Sequence, residues 1–343
     1  MEKQEIRKLL DRDTKPTPFV CMYPSCEKTP VRTHSVSRSW FKQISDEKNR
    51  AVALRTRYET YFDSDGSKRN TRREGTKLIT YNTNRLSTCF CFCSFHDGSV
   101  FAGIDNFQDF EISKKSAFLL AYRSICHEIC VKRQVHSNLS NVSIPAHDAL
   151  IFEMQKRQQA TALEFASQDH NEMEDALRRQ DFRDTRYFAI VIDSVPDILC
   201  SGFFAPVDEE NVRNQVVRSS WLYTPYANAR LALTVMPYQR DNGIIVLSWY
   251  GKSRMNKDYI RTLRKMSRNT LANHLFVTVF QYLENFYLRP SFWDSLSEDK
   301  QESLHRRFEA DINPAMTDTY QSVRSNTTKY VNWSVEDIKQ NVL

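Results

Sequence analysis

The sequence predicts an α+β protein in which a small zinc-binding module with helices precedes an antiparallel sheet that is covered by helices. Two close pairs of metal-ligating residues, Cys21-x4-Cys26 and Cys93-x2-His96, predict the module. Four segments of the second half are rich in β-branched and aromatic residues and predict the sheet. Helical periodicity over 110–133 and 148–180 predicts two long helices between the module and the sheet.

The composition is that of a globular protein with enough apolar material for a core. Of 343 residues, 41% are hydrophobic and 26% are charged. With 7 glycines and neither GxGxxG nor GxxxxGK[ST], a glycine-rich phosphate loop is not expected. No apolar run reaches the ~18 residues of a membrane span, and the charged segment 1–13 lacks a signal peptide's apolar stretch. We therefore expect a cytoplasmic protein with no membrane partner, whose eight cysteines are thiols and metal ligands rather than disulfides.

The two ligand pairs offer three sulfurs and one imidazole, which is a donor set that zinc takes in tetrahedral sites. Four protein ligands close the shell, so this zinc is expected to be structural and to hold no reactive water. Cys91 lies on the same face of an alternating segment as Cys93 and could compete as a ligand, but the spacing to His96 favours Cys93. The alternative is that these cysteines are only small buried hydrophobic residues.

Positive charge is concentrated in the first part of the chain. Residues 1–140 hold 24 Lys and Arg against 16 Asp and Glu, whereas the remainder holds 24 against 26. The excess falls mainly within 48–85, where aromatic residues are interleaved, and a basic face of this kind suits a phosphate backbone. An ordinary solvated loop is the alternative. The candidate nucleic-acid-binding residues are Arg55, Arg57, Lys68, Arg69, Arg72 and Arg73.

The second half predicts strands over 186–194, 199–205, 229–236 and 243–250, followed by helices over 255–288 and 291–310. Asn242-Gly243 predicts a hairpin turn between the last two strands. The expected organisation is a zinc-binding domain over 1–140, a helical connector over 141–185, and an α+β domain of unknown role over 186–343.

About the first 130 residues resemble the zinc-stabilised treble-clef endonucleases of HNH type, which carry a ββα-metal module. The resemblance lies in the Cys21 to Cys26 knuckle, Thr33-His34-Ser35, Ser87-Thr88-Cys89 and Cys93-Ser-Phe-His96-Asp97. Phe101-Ala-Gly-Ile104-Asp105 and Phe118-Leu-Leu-Ala-Tyr122-Arg123 fit the same pattern. The sequence departs from it at Thr88, where an Asn is usual, and near Phe101, where a His or Asn is usual.

The resemblance implies a catalytic role for His34, which would activate water beside a divalent ion, Mg²⁺ or Mn²⁺. It also implies Asp97 as a hard oxygen ligand of that ion. Two other interpretations of these residues stay open. Asp97 could cap the helix that follows it, and His34 could be a hydrogen-bonded support of the zinc loop.

The expected function is a metal-dependent nuclease that acts on nucleic acid, DNA more than RNA. By analogy with bacterial anti-phage effectors, residues 186–343 would sense a signal. The alternative is a non-catalytic zinc-finger module that binds nucleic acid or protein, with a C-terminal half that recognises a protein or small-molecule partner.

Overall fold

A computed structural model describes residues 20–62, 68–140, 149–206, 230–312, 323 and 326–342. Its strands in chain order are β1 (Thr33–His34), β2 (Arg50–Phe62), β3 (Lys68–Asn82), β4 (Thr88–Cys89), β5 (Thr185–Ile192), β6 (Ile198–Phe204), β7 (Leu231–Tyr238), β8 (Asn242–Tyr250), β9 (Phe286–Leu288) and β10 (Val335–Gln340). Its helices are α1 (Arg38–Ile44), α2 (Ser94–Val100), α3 (Ala102–Asp105), α4 (Lys114–Ser140), α5 (Ala149–Arg179), α6 (Arg254–Arg264), α7 (Arg268–Tyr282), α8 (Pro290–Ser295) and α9 (Glu298–Ile312).

Eight of these strands form one antiparallel sheet in the order β10-β5-β8-β7-β6-β9-β2-β3. β1 and β4 form a separate two-stranded ladder, in which Thr33 pairs with Cys89 and His34 with Thr88. The described chain is therefore a mixed α+β protein with an antiparallel sheet, as the sequence predicts.

The central strands of the large sheet, β5 to β8, are buried on both faces. Along β5, Ala189 and Val191 pack with the N-terminal module and α4, whereas Phe188 and Ile190 pack with α6, α7 and the C-terminal segment. Successive strand residues point to opposite faces, so both sets must be apolar when both faces are covered. The result is three layers, with the N-terminal module, α4 and α5 on one side of the sheet and the remaining helices on the other.

The four strands predicted in the second half are confirmed as β5 to β8, with the β7–β8 turn at the expected place. The long helix predicted over 148–180 is confirmed as α5. The single helix predicted over 255–288 is wrong. Ser267 accepts a hydrogen bond from the amide of Thr270 and begins a second helix, and β9 follows that helix.

The large sheet crosses the boundaries predicted at residues 140 and 185. β2, from the first 140 residues, pairs with β9 through Val52 and Leu288, and β9 pairs with β6. α4 also lies on the sheet, where the Ala117 carbonyl accepts a hydrogen bond from Ser248. The expected division into separate domains therefore does not coincide with a break in the sheet.

Gly243 in β8 is a position where the packing requires glycine. A Cβ there would lie 2.8 Å from Pro196 Cδ and 2.9 Å from Ile192 Cγ1. Gly243→Ala is expected to lower the free energy of unfolding by about 1–3 kcal/mol, since the proline ring cannot rotate away. Gly98→Ala in α2 is the matched control, because a Cβ there meets nothing within 4 Å. It should be neutral or stabilise by up to about 1 kcal/mol. Urea denaturation measures both, and equal effects would contradict the steric argument.

None of the helices in the described ranges is long and apolar enough to cross a bilayer.

Candidate metal centre

The fold brings together the four predicted metal ligands. One ligand atom each from Cys21, Cys26, Cys93 and His96 lies within 4.8 Å of all the others. His96 Nδ1 is 3.5 Å from the Cys21 sulfur and 3.4 Å from the Cys93 sulfur. Sulfur and imidazole donors that converge from two distant segments could hold a metal ion.

Backbone hydrogen bonds shape the knuckle that carries the first pair. The amide of Cys21 donates to the Lys28 carbonyl at 2.9 Å, and the amide of Cys26 donates to the Tyr23 carbonyl at 3.1 Å. Ser25 closes the turn with a φ of 61°, in the left-handed region. The knuckle thus turns both sulfurs towards the same point.

The second pair lies at the start of α2. Cys93 is the residue before this helix, and His96 follows three positions later, so one helical turn brings both side chains to the same side. The amide of Cys93 donates to the Cys21 sulfur at 3.2 Å, which joins the two pairs. Tyr23 stacks on His96 with ring centroids 3.9 Å apart and fixes the plane of the imidazole.

Burial disfavours a free thiolate at Cys21. Burial raises the pKa of the Cys21 thiol to about 11. A thiolate at this position therefore needs a positive partner at neutral pH, and a metal ion that displaces the thiol proton supplies one.

A second cluster of sulfurs lies beside the first and contains Cys89, Cys91 and Cys130. Cys91 belongs to this cluster and not to the four-ligand group, so Cys93 is the better-placed ligand of the two. Cys89 and Cys130 form a disulfide between β4 and α4. The expectation of thiols without disulfides is therefore wrong for this pair, because strand and helix bring the Cα atoms to 6.5 Å, within bridging distance.

His34 lies on β1, where it pairs with Thr88 of β4. Its Nδ1 is 3.1 Å from the Leu86 carbonyl, and Arg38 donates from Nε to His34 Nε2 at 3.0 Å. An arginine can only donate, so Nε2 is an acceptor and Nδ1 carries the proton. Burial and the neighbouring Arg38 lower the pKa of His34 to about 4, and Asp105 opposes this shift. The imidazole is therefore neutral at pH 7, with its basic nitrogen towards Arg38.

A buried hydrogen-bond network joins the ladder of β1 and β4 to the large sheet. The hydroxyls of Ser35 and Ser87 lie 2.6 Å apart, and Ser87 also accepts from the amide of Val36. Asn285, just before β9, donates to Ser35 at 2.9 Å and to the Ser201 carbonyl at 2.7 Å. The strand that carries His34 is thus held by the central sheet.

Asp97 lies in the first turn of α2, and Cys93 is the N-cap residue, so the interpretation of Asp97 as a helix cap is wrong. Burial raises the pKa of Asp97 to about 6, with Arg123 opposing and Asp105 adding to the shift. Asp105, at the end of α3, forms an ion pair with the buried Arg123 at 2.5 Å. Because Asp105 and Arg123 both act on His34 and on Asp97, they belong to the same polar cluster.

Asp105, Arg123 and Arg38 were not among the predicted site residues. Two of them stand in the motifs that carry the resemblance, but a charged residue there is equally typical of a protein surface. Only the packing of α3 against α4 shows that Asp105 and Arg123 meet.

The predicted nucleic-acid-binding residues lie on the two strands at one edge of the sheet. Arg55 and Arg57 are in β2, and Lys68, Arg69, Arg72 and Arg73 are in β3. The side chains of Arg57, Lys68, Arg69, Arg72 and Arg73 fall outside what the structure describes, as does that of Arg55.

The chain matches no family model, no curated protein and no solved structure. The site must therefore be interpreted from its own geometry.

Replacing His34 tests its low pKa. A histidine with a pKa of about 4 in the folded chain and 6.5 in the unfolded chain takes up its proton first when unfolded. Such a histidine leaves the free energy of unfolding unchanged above pH 6.5 and lowers it progressively as the pH falls to about 4. Between these limits the free energy of unfolding of the wild type should fall by about 2–3 kcal/mol more than that of His34→Gln. Urea denaturation at pH 7 and about pH 4.5 measures the difference, and parallel losses in both proteins would refute a depressed pKa.

Proposed function

We propose that Cys21, Cys26, Cys93 and His96 bind a structural Zn²⁺ in a treble-clef finger. A knuckle supplies two sulfurs and the start of α2 supplies Cys93 and His96, which is the arrangement that such a finger needs. Three sulfurs and an imidazole suit Zn²⁺ better than a hard cation. Four protein donors leave no position for a reactive water, so this ion would act on the fold and not on a substrate.

We infer further that the chain is a nuclease of HNH type in which His34 is the general base. The observation that carries this inference is the state of His34, a neutral imidazole with one tautomer fixed by the Leu86 carbonyl. A general base must present an unprotonated nitrogen at a defined position. β1, β4 and α2 then correspond to the two strands and the helix of a ββα-metal module.

Release of Arg38 would convert His34 from a resting to an active state. It is exposed, and it occupies the basic nitrogen of the imidazole. A phosphate group attracts a guanidinium strongly, in paired hydrogen bonds. A bound phosphodiester would therefore draw Arg38 away, free Nε2 and raise the basicity of His34.

Asp97 and Asp105 are the hard oxygen donors of this cluster. They would hold a Mg²⁺ or Mn²⁺ ion, which stabilises the charge that develops on a phosphodiester during hydrolysis. The fit is partial, because Arg123 already pairs with one carboxylate oxygen of Asp105. The Asp97 carboxylate forms no ion pair among the residues that the structure describes. Asp97 is therefore the better candidate of the two.

The proposed partner is nucleic acid, DNA more than RNA. Support comes from the net charge of +6 and from six basic residues on neighbouring strands at the sheet edge. A role as an anti-phage effector, with the C-terminal half as a sensor of a protein or small molecule, is a proposal by analogy.

The test is plasmid nicking with Mg²⁺ and with Mn²⁺, wild type against His34→Ala. Cleavage that needs the divalent ion and His34 would support the nuclease. No cleavage with either ion, while zinc stays bound, would refute the enzymatic proposal.

One observation favours the second function, a non-catalytic binding module. The hydrogen bond from Arg38 consumes the acceptor nitrogen of His34, and a histidine with both nitrogens bonded can be purely structural. In that case His34→Ala would change stability and leave binding of nucleic acid intact.

A further inference from the structure

A row of aromatic, aliphatic and cationic side chains, most of them exposed, runs along the outside of the metal centre. The segment 28–34 lies beside the segment 88–95, joined by a hydrogen bond from the Val31 amide to the Phe92 carbonyl at 2.8 Å. Further along, Thr33 pairs with Cys89 and His34 with Thr88. We call the side chains of Lys28, Val31, Arg32, Phe90 and Phe95 on these segments the aromatic strip.

The strip exposes apolar surface that the fold does not use. Phe95 is 63% exposed and Val31 is 41% exposed. Of the four large hydrophobic residues that are exposed in the described ranges, Val20, Val31 and Phe95 lie on or beside the knuckle or at the start of α2. Single exposed apolar side chains are ordinary, but three of them grouped at one place on the surface indicate a binding surface.

A cationic side chain lies over each aromatic ring of the strip. The Lys28 ammonium lies 5.7 Å from the centre of the Phe95 ring, and the Arg32 guanidinium lies 5.7 Å from the centre of the Phe90 ring. A partner that fits must offer flat apolar faces and negative charge in alternation. An unpaired nucleic-acid strand offers both, since its bases stack on aromatic rings and its phosphates pair with Lys and Arg.

A duplex fits the strip less well. Its bases are stacked on one another inside the helix and cannot reach an exposed phenyl ring without leaving the stack. The strip therefore selects for unpaired nucleotides. It ends at His34, which pairs with Thr88 two residues before Phe90.

We propose that the aromatic strip binds an unpaired nucleic-acid strand, stacks a base on Phe95 and directs the backbone to His34. The claim that the backbone is directed to His34 rests on the proposed nuclease function, whereas strand binding does not depend on cleavage. The substrate of the nuclease is then single-stranded nucleic acid or a locally unpaired region of a duplex.

Fluorescence anisotropy without divalent ions tests the binding. The probes are a labelled oligothymidylate and a labelled hairpin duplex, offered to the wild type and to Phe95→Ala. We expect the wild type to prefer the single strand. Removing the ring on which one base stacks should weaken single-strand binding roughly 5- to 100-fold and affect the duplex far less. Phe95 is mostly exposed, so the variant should fold, and retained zinc would confirm this.

Charge reversal tests the cations of the strip. Lys28→Glu should reduce the slope of log K against log salt by about 0.7 for each phosphate of a single strand that the lysine neutralises in the wild type. The matched control lies elsewhere on the surface. Lys252→Glu reverses another exposed charge, far from the aromatic strip in the sequence. This control should bind as the wild type does.

Single-strand binding by Phe95→Ala that equals that of the wild type, equal effects of Lys28→Glu and Lys252→Glu, or wild-type preference for the duplex would overturn the proposal. The same measurements separate it from the nuclease. If strand binding needs Phe95 but no cleavage occurs, the strip is supported and the nuclease proposal is refuted. If cleavage occurs and does not depend on Phe95, the nuclease proposal is supported and the role of the strip is refuted.

Discussion

Cys93→Ser is expected to abolish binding of the proposed Zn²⁺ and to destabilise the N-terminal module by more than ~4 kcal/mol, a size reached by few single substitutions. A structural zinc site contributes its binding energy to folding, because the site does not exist in the unfolded chain. Cys93 also precedes α2 as its N-cap residue, and its amide donates to the Cys21 sulfur. The substitution would therefore remove a ligand and loosen the link between the two ligand pairs. Metal analysis and thermal unfolding measure the two effects.

Cys200→Ser is the matched control, because this buried cysteine lies in the sheet on β6, outside both sulfur clusters. It should keep the metal and cost only the burial of a hydroxyl, about 1–3 kcal/mol. Addition of a chelator to the wild type should reproduce the Cys93→Ser phenotype and leave Cys93→Ser itself unchanged. A wild type that contains no metal, or a Cys93→Ser protein as stable as Cys200→Ser, would contradict the site.

The convergence of the four candidate metal ligands could be predicted because each pair is local in the sequence. A spacing of four residues fits a knuckle and a spacing of two fits a helical turn, so both pairs show before any tertiary structure is known. The four strands β5 to β8 were predictable for a similar reason. Each is a continuous run of apolar and β-branched residues, typical of a strand that is buried on both faces.

The features that sequence reasoning missed all depend on contacts between distant segments. β2 is polar and charged over much of its length, so little alternation marks it, and it joins the sheet through β9, more than two hundred residues later. The Cys89–Cys130 disulfide spans 41 residues. The link from Asp105 to Arg123 exists only because α3 packs on α4. Such pairings are decided by packing and not by local propensity.

His34→Ala is expected to lower the proposed nuclease activity by about 10²- to 10⁴-fold, the usual contribution of a general base. Folding and metal content should be preserved, because His34 is only half-buried and is not one of the four ligands. Plasmid nicking at saturating Mn²⁺, with zinc content measured on the same sample, separates loss of catalysis from loss of structure.

Arg38→Ala is the control that distinguishes a catalytic histidine from a structural one. It removes the donor that occupies Nε2, and it removes the positive charge that, after burial, does most to lower the pKa of His34. If His34 is the base, kcat/KM of the wild type falls only below about pH 4, whereas the acidic limb of Arg38→Ala moves towards pH 6.5. If His34 is only structural, Arg38→Ala should leave the pH dependence of kcat/KM unchanged. An Arg38→Ala profile that coincides with the wild type would therefore remove His34 from the mechanism, whatever the activity of His34→Ala.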